Sequence, residues 1–322
     1  MTRVVAPSRL HFGLLGLPAE SRERWPGVDG APGLPIRHFG GVGLMVERPG
    51  LAVTVEGAPA WSASGPLAPR ALEFARQAVE SLPARERRPF HISMETAPEE
   101  HTGLGVGTQL GLAVAKAIAV ECGHADWPAA ELAVRIGRGE RSAIGVHGFE
   151  RGGLIVEGGK LPGETISPLV GRYDLPASWS VLVFTPDAAS EWHGGRERLA
   201  FARLGHLGPA PGETDALCRL VLTGMLPALA SADSQGFGEA VYEFNARVGD
   251  AFAPAQGGRY ASPAVAACVA RLRALGVTGV GQSSWGPTVF ALIRREEAEA
   301  ILKHVSDVPA VLAGVSAGAT VS

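Results

Sequence analysis

The sequence predicts an α+β protein of two domains, and three observations lead to this fold class. A chain of 322 residues, 46% hydrophobic and 19% charged, is long enough to build two separate cores. Strand and helix patterns are mixed along the chain, and a change of composition at Leu161–Pro176 separates two such series. In the second series the order helix, strand, strand, helix, strand suggests a ferredoxin-like α/β sandwich. The predicted domains are residues 1–165 and 166–322.

The first series alternates between strands and helices. β-Branched and aliphatic residues predict strands over Arg3–Ala6, Arg9–Leu17, Gly41–Glu47, Leu51–Glu56, Phe90–Thr96 and Gly152–Gly159. Apolar residues at helical spacing predict helices over Leu67–Leu82, Thr108–Val120 and Ala129–Ile136. The stretch Pro18–Phe39 is rich in glycine, proline and charge, so we expect it to run over the surface.

The second series begins with a buried strand at Trp179–Phe184. Helices are predicted over Glu213–Ala230, Gly236–Phe252, Pro263–Leu275 and Glu296–Val305. Strands are predicted over Val277–Gly281, Thr288–Ile293 and Ala310–Val315.

Composition excludes several classes of function. The net charge is −3, with 29 basic and 32 acidic residues well mixed, so no basic face for nucleic acid is expected. Met1–Pro7 does not resemble a signal peptide, and the apolar stretch Leu110–Val120 is too short to span a bilayer. Three scattered cysteines, Cys122, Cys218 and Cys268, suit small core residues rather than disulfides or zinc. We expect a soluble, cytoplasmic protein without a nucleic-acid or membrane partner.

A glycine-rich segment, His101-Thr-Gly-Leu-Gly-Val-Gly-Thr-Gln109, leads directly into an apolar helix. Its glycines let backbone amides approach a ligand, and the first helical turn adds unpaired N–H groups, which suits phosphate or diphosphate. No Gly-Lys-Ser/Thr follows, so it is not a Walker A loop. A glycine-rich turn formed for packing is the alternative. The candidate residues are His101, Gly103, Gly105, Gly107, Thr108 and Gln109.

Two further clusters carry basic side chains. Arg9 and His11 lie two positions apart on a predicted strand, so they share a face and need a carboxylate or an anionic ligand as partner. Arg138–Gly145 is a Gly-containing turn in which Arg141 and Ser142 are candidates for binding phosphate. A solvated run of charge is the alternative for this turn.

The loop between the last two predicted central strands, Gly279–Thr288, contains more polar and aromatic residues than a plain hairpin needs. An amide and hydroxyls can hydrogen-bond phosphate or carboxylate, and an indole can stack on an aromatic ring. A turn that only packs the two domains together is the alternative. The candidate residues are Gln282, Ser283, Ser284 and Trp285.

Taken together, these motifs resemble the GHMP kinases, in which a first-strand motif, a phosphate loop and a C-terminal glycine-rich loop occur in the same order. Here the counterparts are Pro7–Leu17, Gly103–Thr108 and Gly279–Thr288. The resemblance implies a GHMP-kinase fold with an N-terminal domain like ribosomal S5 domain 2 and a ferredoxin-like C-terminal domain. The kinase Ser-Ser is replaced by Val106-Gly107, and Arg138–Gly145 contains no aspartate. A working phosphoryl-transfer site is therefore not expected.

Within this superfamily the chain is similar, segment by segment, to the β-ribofuranosylaminobenzene 5′-phosphate synthases of methanopterin biosynthesis. The matching stretches are Pro7–Phe12, Gly40–Leu44, His101–Gln109, Gly137–Gly145, Gly152–Val156, Gln256–Tyr260 and Gly281–Thr288. Two features depart from that family's pattern. They are the long Ala19–Arg37 excursion, which puts the substrate range in doubt, and Val106, where a small hydroxyl residue is common.

The resemblance implies a reaction between 5-phosphoribosyl 1-diphosphate (PRPP) and 4-aminobenzoate or 4-hydroxybenzoate, which releases CO₂ and diphosphate. It also implies Mg²⁺ as cofactor, and a homodimer is expected. The implied catalytic residues are Arg9, His11, Arg141 and Gln282. The implied substrate-binding residues are His101, Gly103, Gly105, Gly107, Thr108, Gln109, Ser142, Gln256, Ser283, Ser284 and Trp285. An ATP-dependent small-molecule kinase and a non-catalytic phosphate-binding protein remain the alternatives.

Overall fold

Two β-sheets with helices on their faces build the chain. The computed structural model describes residues 1–16, 29, 31, 33, 35–187, 199–200, 203–204 and 212–322. Most of the predicted excursion at Ala19–Arg37 lies outside these residues. None of the described helices is both long and apolar enough to cross a membrane.

Among the described residues the first sheet has seven strands, and it is built around two long, antiparallel neighbours, β1 and β2. The order is β11-β1-β2-β4-β3, and β5 pairs with β2 on one side and with β6 on the other. The strands are β1 (Thr2–Gly16), β2 (Phe39–Gly57), β3 (Ser62–Ser64), β4 (Phe90–Thr96), β5 (Leu154–Glu157), β6 (Leu169–Tyr173) and β11 (Thr320–Val321).

Four helices cover one face of this sheet. Their names are α1 (Ala68–Glu80), α2 (Val106–Glu121), α3 (Ala129–Arg135) and α4 (Ile144–Arg151). Helix α2 is apolar on most of its circumference because it lies between the sheet and the other helices. This arrangement places the first turn of α2, and the glycine-rich loop before it, at an edge of the first core.

The second sheet has four strands in the order β10-β7-β9-β8, and each neighbour is antiparallel. Its strands are β7 (Trp179–Phe184), β8 (Gly279–Gln282), β9 (Val289–Arg294) and β10 (Ala310–Ala313). Because β9 lies between β7 and β8, the connection is the split β-α-β unit of a ferredoxin-like sandwich. The predicted ferredoxin-like order is therefore confirmed.

Helices of the second half fill the space between the sheets and cover the outer face of the second sheet. They are α5 (Glu213–Arg219), which continues through a π-helical turn (Leu220–Met225) into α6 (Leu226–Ala230), then α7 (Ser234–Gln256), α8 (Pro263–Ala274) and α9 (Ala298–His304). Helix α7 buries Phe237 and Phe244 in one core with Phe12 of β1 and Phe290 of β9. This shared core joins the two halves.

Several boundaries differ from the sequence prediction. The sequence predicts two strands within Arg3–Leu17 and two within Gly41–Glu56, but each pair belongs to one continuous strand, β1 or β2. The β1–β2 ladder continues through register shifts at Ala6/Ser8 and His11/Gly13. Strand β6 pairs with β5, so the change of sheet falls after Tyr173 and not at residue 165. Helix α4 was missed, because its glycines resemble a turn. Cys218 is exposed and Cys122 only half-buried, so the core prediction is wrong for these two.

Candidate functional site

A cavity of about 290 Å³ brings together all four predicted motifs. Its wall is formed by β1, the loop that precedes α2, the 137–142 turn, helix α7 and the loop between β8 and β9. The predicted residues on the wall are Arg9, His11, His101, Gly103, Gly105, Gly107, Thr108, Arg141, Ser142, Gln256, Gln282, Ser284 and Trp285. Segments far apart in sequence therefore form one site.

The glycine-rich loop and the β8–β9 loop touch backbone to backbone. Gly103 has a φ of 92°, and a side chain there would collide with the carbonyl of Ser283. A side chain on Gly286 would likewise collide with Thr102. The Thr288 N–H donates to the Thr102 carbonyl at 3.2 Å. The glycines therefore allow the two loops of the site to approach closely.

Guanidinium groups surround the first turn of α2. The side chain of Arg9 lies against Gly105, and Nη2 of Arg70 would be 2.7 Å from a Cβ on Gly107. Nη2 of Arg138 lies 3.7 Å from the same point. The helix N-terminus already carries unpaired N–H groups and a partial positive charge. Its surroundings are therefore strongly favourable for an anion.

Burial disfavours the charged forms of two arginines at this turn, Arg70 and Arg138. Burial lowers the pKa of Arg138, and repulsion from Arg70 and Arg141 adds to the effect. Burial also lowers the pKa of Arg70, although this residue forms an ion pair with Glu100. Guanidinium groups remain charged in proteins, so these shifts show that both arginines carry their charge in a largely buried place, which an anionic ligand would stabilise.

His11 lies on the wall as a neutral imidazole. It is only 5% exposed, and burial followed by repulsion from Arg9 lowers the pKa of His11 well below 6.5. The prediction of two cationic side chains on this face therefore needs correction. His11 Nε2 lies 3.2 Å from Oγ of Ser142. The backbone N–H of His11 donates to Ser283 Oγ at 3.0 Å, which ties β1 to the β8–β9 loop.

The side chain of Gln282 is engaged with backbone groups. Its Oε1 accepts from the Ala261 N–H at 2.8 Å, and its Nε2 donates to the Ser284 carbonyl at 2.8 Å. Trp285 is 6% exposed and meets Phe252 edge-on, with ring centroids 4.9 Å apart. The indole is therefore both part of the core and part of the cavity wall.

Two predicted residues lie behind the cavity wall. Gln109 is 1% exposed, and its Nε2 donates to the Gly145 carbonyl at 2.8 Å. Ser283 is fully buried, and its hydroxyl donates to the Gly103 carbonyl at 2.8 Å. Both side chains hold neighbouring loops in place, so the prediction that they contact the substrate needs correction.

Sequence patterns missed Arg70, Asn245 and Phe252, which also line the cavity. Asn245 on α7 donates to the Phe12 carbonyl at 2.7 Å and to the Gln282 carbonyl at 2.9 Å, and thus joins β1 to β8. They lie on α1 and α7, outside the glycine-rich and basic motifs of the sequence. Only the packing of α1 and α7 brings them to the site.

The described residues contain no group of three or more His, Cys, Asp or Glu side chains that could hold a metal ion. The carboxylates on the cavity wall are Glu100 and Glu140. Glu100 is paired with Arg70. Any divalent cation at this site would depend on oxygen atoms of the ligand.

Comparison with known sequences matches one family model and several relatives that share a name. Residues 225–310 match the family model described as GHMP kinases C terminal. A β-ribofuranosylphenol 5′-phosphate synthase from Methanothermobacter thermautotrophicus is 31% identical over 309 residues, which cover 89% of this chain and 87% of that protein. A protein of the same name from Archaeoglobus fulgidus is 30% identical over 306 residues, which cover 91% and 88%.

Solved structures share the architecture. Mevalonate pyrophosphate decarboxylase from Streptococcus pyogenes aligns with a TM-score of 0.65 at 12% identity, over 98% of this chain and 97% of the other. Homoserine kinase from Cytophaga hutchinsonii aligns with a TM-score of 0.62 at 14% identity, over 100% and 97%. With the family model, these similarities confirm the predicted GHMP-kinase fold.

Proposed function

Because the chain belongs to the β-ribofuranosylphenol 5′-phosphate synthase family, we propose that its cavity binds PRPP and an aromatic acid and joins them. The C1–oxygen bond of PRPP breaks, and its electron pair leaves with diphosphate. The ring carbon that bears the carboxylate then forms a bond to C1. The carboxylate departs as CO₂, and the electron pair of its bond restores the aromatic ring.

One observation carries this proposal. Four arginines, Arg9, Arg70, Arg138 and Arg141, line one cavity at the N-terminus of α2. PRPP brings a 5′-phosphate and a diphosphate, and the second substrate brings a carboxylate. Charge-assisted hydrogen bonds from guanidinium and backbone N–H groups suit these anions, and they stabilise the negative charge that develops on the leaving diphosphate.

An apolar part of the same cavity suits the ring of the second substrate. Phe12, Val248, Phe252 and Trp285 line it. Phe252 and Trp285 meet edge-on, and their rings give this part of the wall an aromatic, apolar surface. The name of the two relatives refers to a phenol product. We therefore favour 4-hydroxybenzoate over 4-aminobenzoate as the aromatic acid.

The kinase alternative has less support from the cavity. Some kinases of this superfamily use an aspartate as base, and no aspartate lies on the described cavity wall. Replacement of the expected Ser-Ser by Val106-Gly107 also removes hydroxyl ligands for a metal–nucleotide complex. Decarboxylative C–C bond formation needs positioning and electrostatic stabilisation more than a protein nucleophile.

Magnesium belongs to the proposal as a companion of the diphosphate. Mg²⁺ is commonly held by one or two carboxylates together with substrate phosphates, so Glu140 on the cavity wall would supply the protein carboxylate. A bound ion would neutralise part of the diphosphate charge. Chelation with EDTA should abolish turnover, and added Mg²⁺ should restore it.

The test is a direct assay with both aromatic acids. Purified protein is mixed with Mg²⁺, PRPP and either 4-hydroxybenzoate or 4-aminobenzoate, and the C-riboside is identified by mass. We expect a product with both acids, with a larger kcat/KM for 4-hydroxybenzoate. A parallel sample with ATP and no PRPP measures kinase activity, and ADP formation without a C-riboside would favour the kinase alternative.

A further inference from the structure

One acidic side chain near the cavity has no part in the proposed chemistry. Glu157, the last residue of β5, is fully buried and does not line the cavity. Its Oε2 accepts a hydrogen bond from the Ala143 N–H at 2.6 Å. Its Oε1 is buried and makes no hydrogen bond of normal geometry among the described residues, although the Ser142 and Ser167 hydroxyls lie near the carboxyl. A buried carboxyl in this position is costly and therefore calls for a function.

The Ala143 N–H links Glu157 to the wall of the cavity. Ala143 is the N-cap residue of α4, and its own backbone N–H, which has no partner within the helix, donates to the Glu157 carboxyl. The residue before Ala143 is Ser142, which lines the cavity. By holding the 142–143 peptide, Glu157 fixes the position of the Ser142 hydroxyl.

Ser142 in turn meets His11. Its Oγ lies 3.2 Å from His11 Nε2 and also accepts from the Ile144 N–H at 3.3 Å. A neutral imidazole has one donor and one acceptor nitrogen, and the partner of one nitrogen decides which tautomer is present. The orientation and tautomer of His11 therefore depend on where Ser142 is held.

We propose that Glu157 is a positioning residue for His11 and acts through Ser142. The role rests on the proposed function, in which His11 faces the substrates. The neutral acid form suits this role, because Glu157 can accept from Ala143 through Oε2 and direct an Oε1 proton toward a neighbouring hydroxyl. Burial favours that form, since it raises the pKa of Glu157, while the Ser142 and Ser167 hydroxyls and the Ala143 N–H offset part of the effect.

The first test compares two variants at this carboxyl with a control elsewhere. Glu157→Leu removes the acceptor and should lower kcat about tenfold, with KM for PRPP changed less than about twofold, because the anion site is intact. Glu157→Gln keeps an acceptor and a donor and should restore kcat to within about threefold. Ser180→Ala is the matched control. It removes a buried hydroxyl on β7 of the second sheet, outside the cavity, and should leave kcat unchanged.

A double-mutant cycle tests the route through Ser142. If Glu157 acts through this serine, Ser142→Ala with Glu157→Leu should lose no more kcat than the more affected single variant. Multiplied losses would overturn the proposal, since they would show independent effects. An unchanged kcat in Glu157→Leu with a lower Tm would overturn it too, because Glu157 would then only cap α4.

A spectroscopic measurement separates this proposal from the proposed function. In the ligand-free protein, ¹⁵N–¹H spectra of His11 should show one neutral tautomer. In Glu157→Leu they should show a mixture, and in Glu157→Gln the single form again. Should Glu157→Leu not fold, Ser142→Ala replaces it and is expected to give the same mixture. Identical spectra in all folded variants would overturn the role of Glu157, whether or not the protein forms a C-riboside.

Discussion

At the scale of single residues, the site gathers positive charge around Gly107. Arg70 and Arg138 approach the same glycine, Gly107, where a side chain would displace the Arg70 guanidinium. Burial lowers the pKa of Arg138, and repulsion from Arg70 and Arg141 lowers it further. A multiply charged anion between them removes this repulsion. The arrangement is therefore better suited to a diphosphate than to a neutral ligand.

The first prediction concerns Arg138. Arg138→Met keeps the contact with Phe74, over which the guanidinium lies at 4.9 Å, but removes the charge. A charge-assisted hydrogen bond is worth roughly 1.5–3 kcal/mol, so KM for PRPP should rise about ten- to a hundredfold. The control is Arg135→Met, which removes a similar stacked arginine from Trp127 outside the cavity. Equal KM values in both variants would contradict the role of Arg138.

The second prediction concerns Trp285, which belongs to both the core and the cavity wall. Trp285→Ala should lower Tm and also raise KM for the aromatic acid, with KM for PRPP nearly unchanged, because only the ring loses its stacking partner. The control is Trp179→Ala, which removes an indole of the same core cluster that packs on Phe237. It should lower Tm alone. A purely structural Trp285 would behave in the same way as Trp179.

At the scale of secondary-structure elements, the start of α2 determines the shape of the anion-binding part of the cavity. Gly105 has a left-handed φ of 71° and ends the loop, and Gly107 lies one residue inside the helix. The two glycines serve different purposes. Gly105 permits the turn, whereas Gly107 leaves room for the Arg70 guanidinium.

Gly107→Ala separates backbone conformation from side-chain space. Alanine favours the helix by up to about 1 kcal/mol, so stability should stay equal or increase. The added methyl group displaces Arg70, so KM for PRPP should rise several-fold. Thermal unfolding and steady-state kinetics on the same sample provide both readings. A stabilised protein with unaltered KM for PRPP would remove Arg70 from the site.

The contact between Glu157 of β5 and the start of α4 leads to a prediction about the pH dependence of stability. The pKa of Glu157 is raised in the folded protein, mainly by burial, and His147 and Lys160 are the nearby basic groups. In the unfolded chain the Glu157 carboxyl ionises at about pH 4.3. The free energy of unfolding of the wild-type protein should therefore decline as pH rises from about 4.3 to the pKa of Glu157 in the folded protein. Glu157→Gln lacks this decline. Urea unfolding across this range should show the variant gaining stability relative to wild type as pH rises, and a constant difference would contradict the raised pKa.

Sequence patterns predicted which helices and strands occur better than where each of them begins and ends. Apolar periodicity located α2 and α8, and the order of elements gave the ferredoxin-like half. The small strand β11 and helix α4 could not be predicted, because β11 depends on pairing with β1, and α4 has turn-like glycines and an N-cap N–H that is bound by Glu157 from another element. Long-range partners of this kind leave no local signal.

At the scale of the whole molecule, the site exists because the two halves are tied together at β1. Asn245 links α7 to β1 and β8, Ser283 links the β8–β9 loop to β1 and to Gly103, and the chain end returns to β1 as strand β11. Glycine-rich and basic motifs predicted most of the cavity wall. Arg70 and Asn245 could not be predicted, because their role depends on this assembly.

The most direct measurement follows the carboxyl carbon. The protein is incubated with Mg²⁺, PRPP and 4-hydroxybenzoate labelled with ¹³C in the carboxyl group, and ¹³CO₂, diphosphate and the C-riboside are quantified together. The proposed reaction predicts that all three form in equal amounts. Release of diphosphate without ¹³CO₂, or a ribosylated product that retains the label, would contradict decarboxylative C–C bond formation in this cavity.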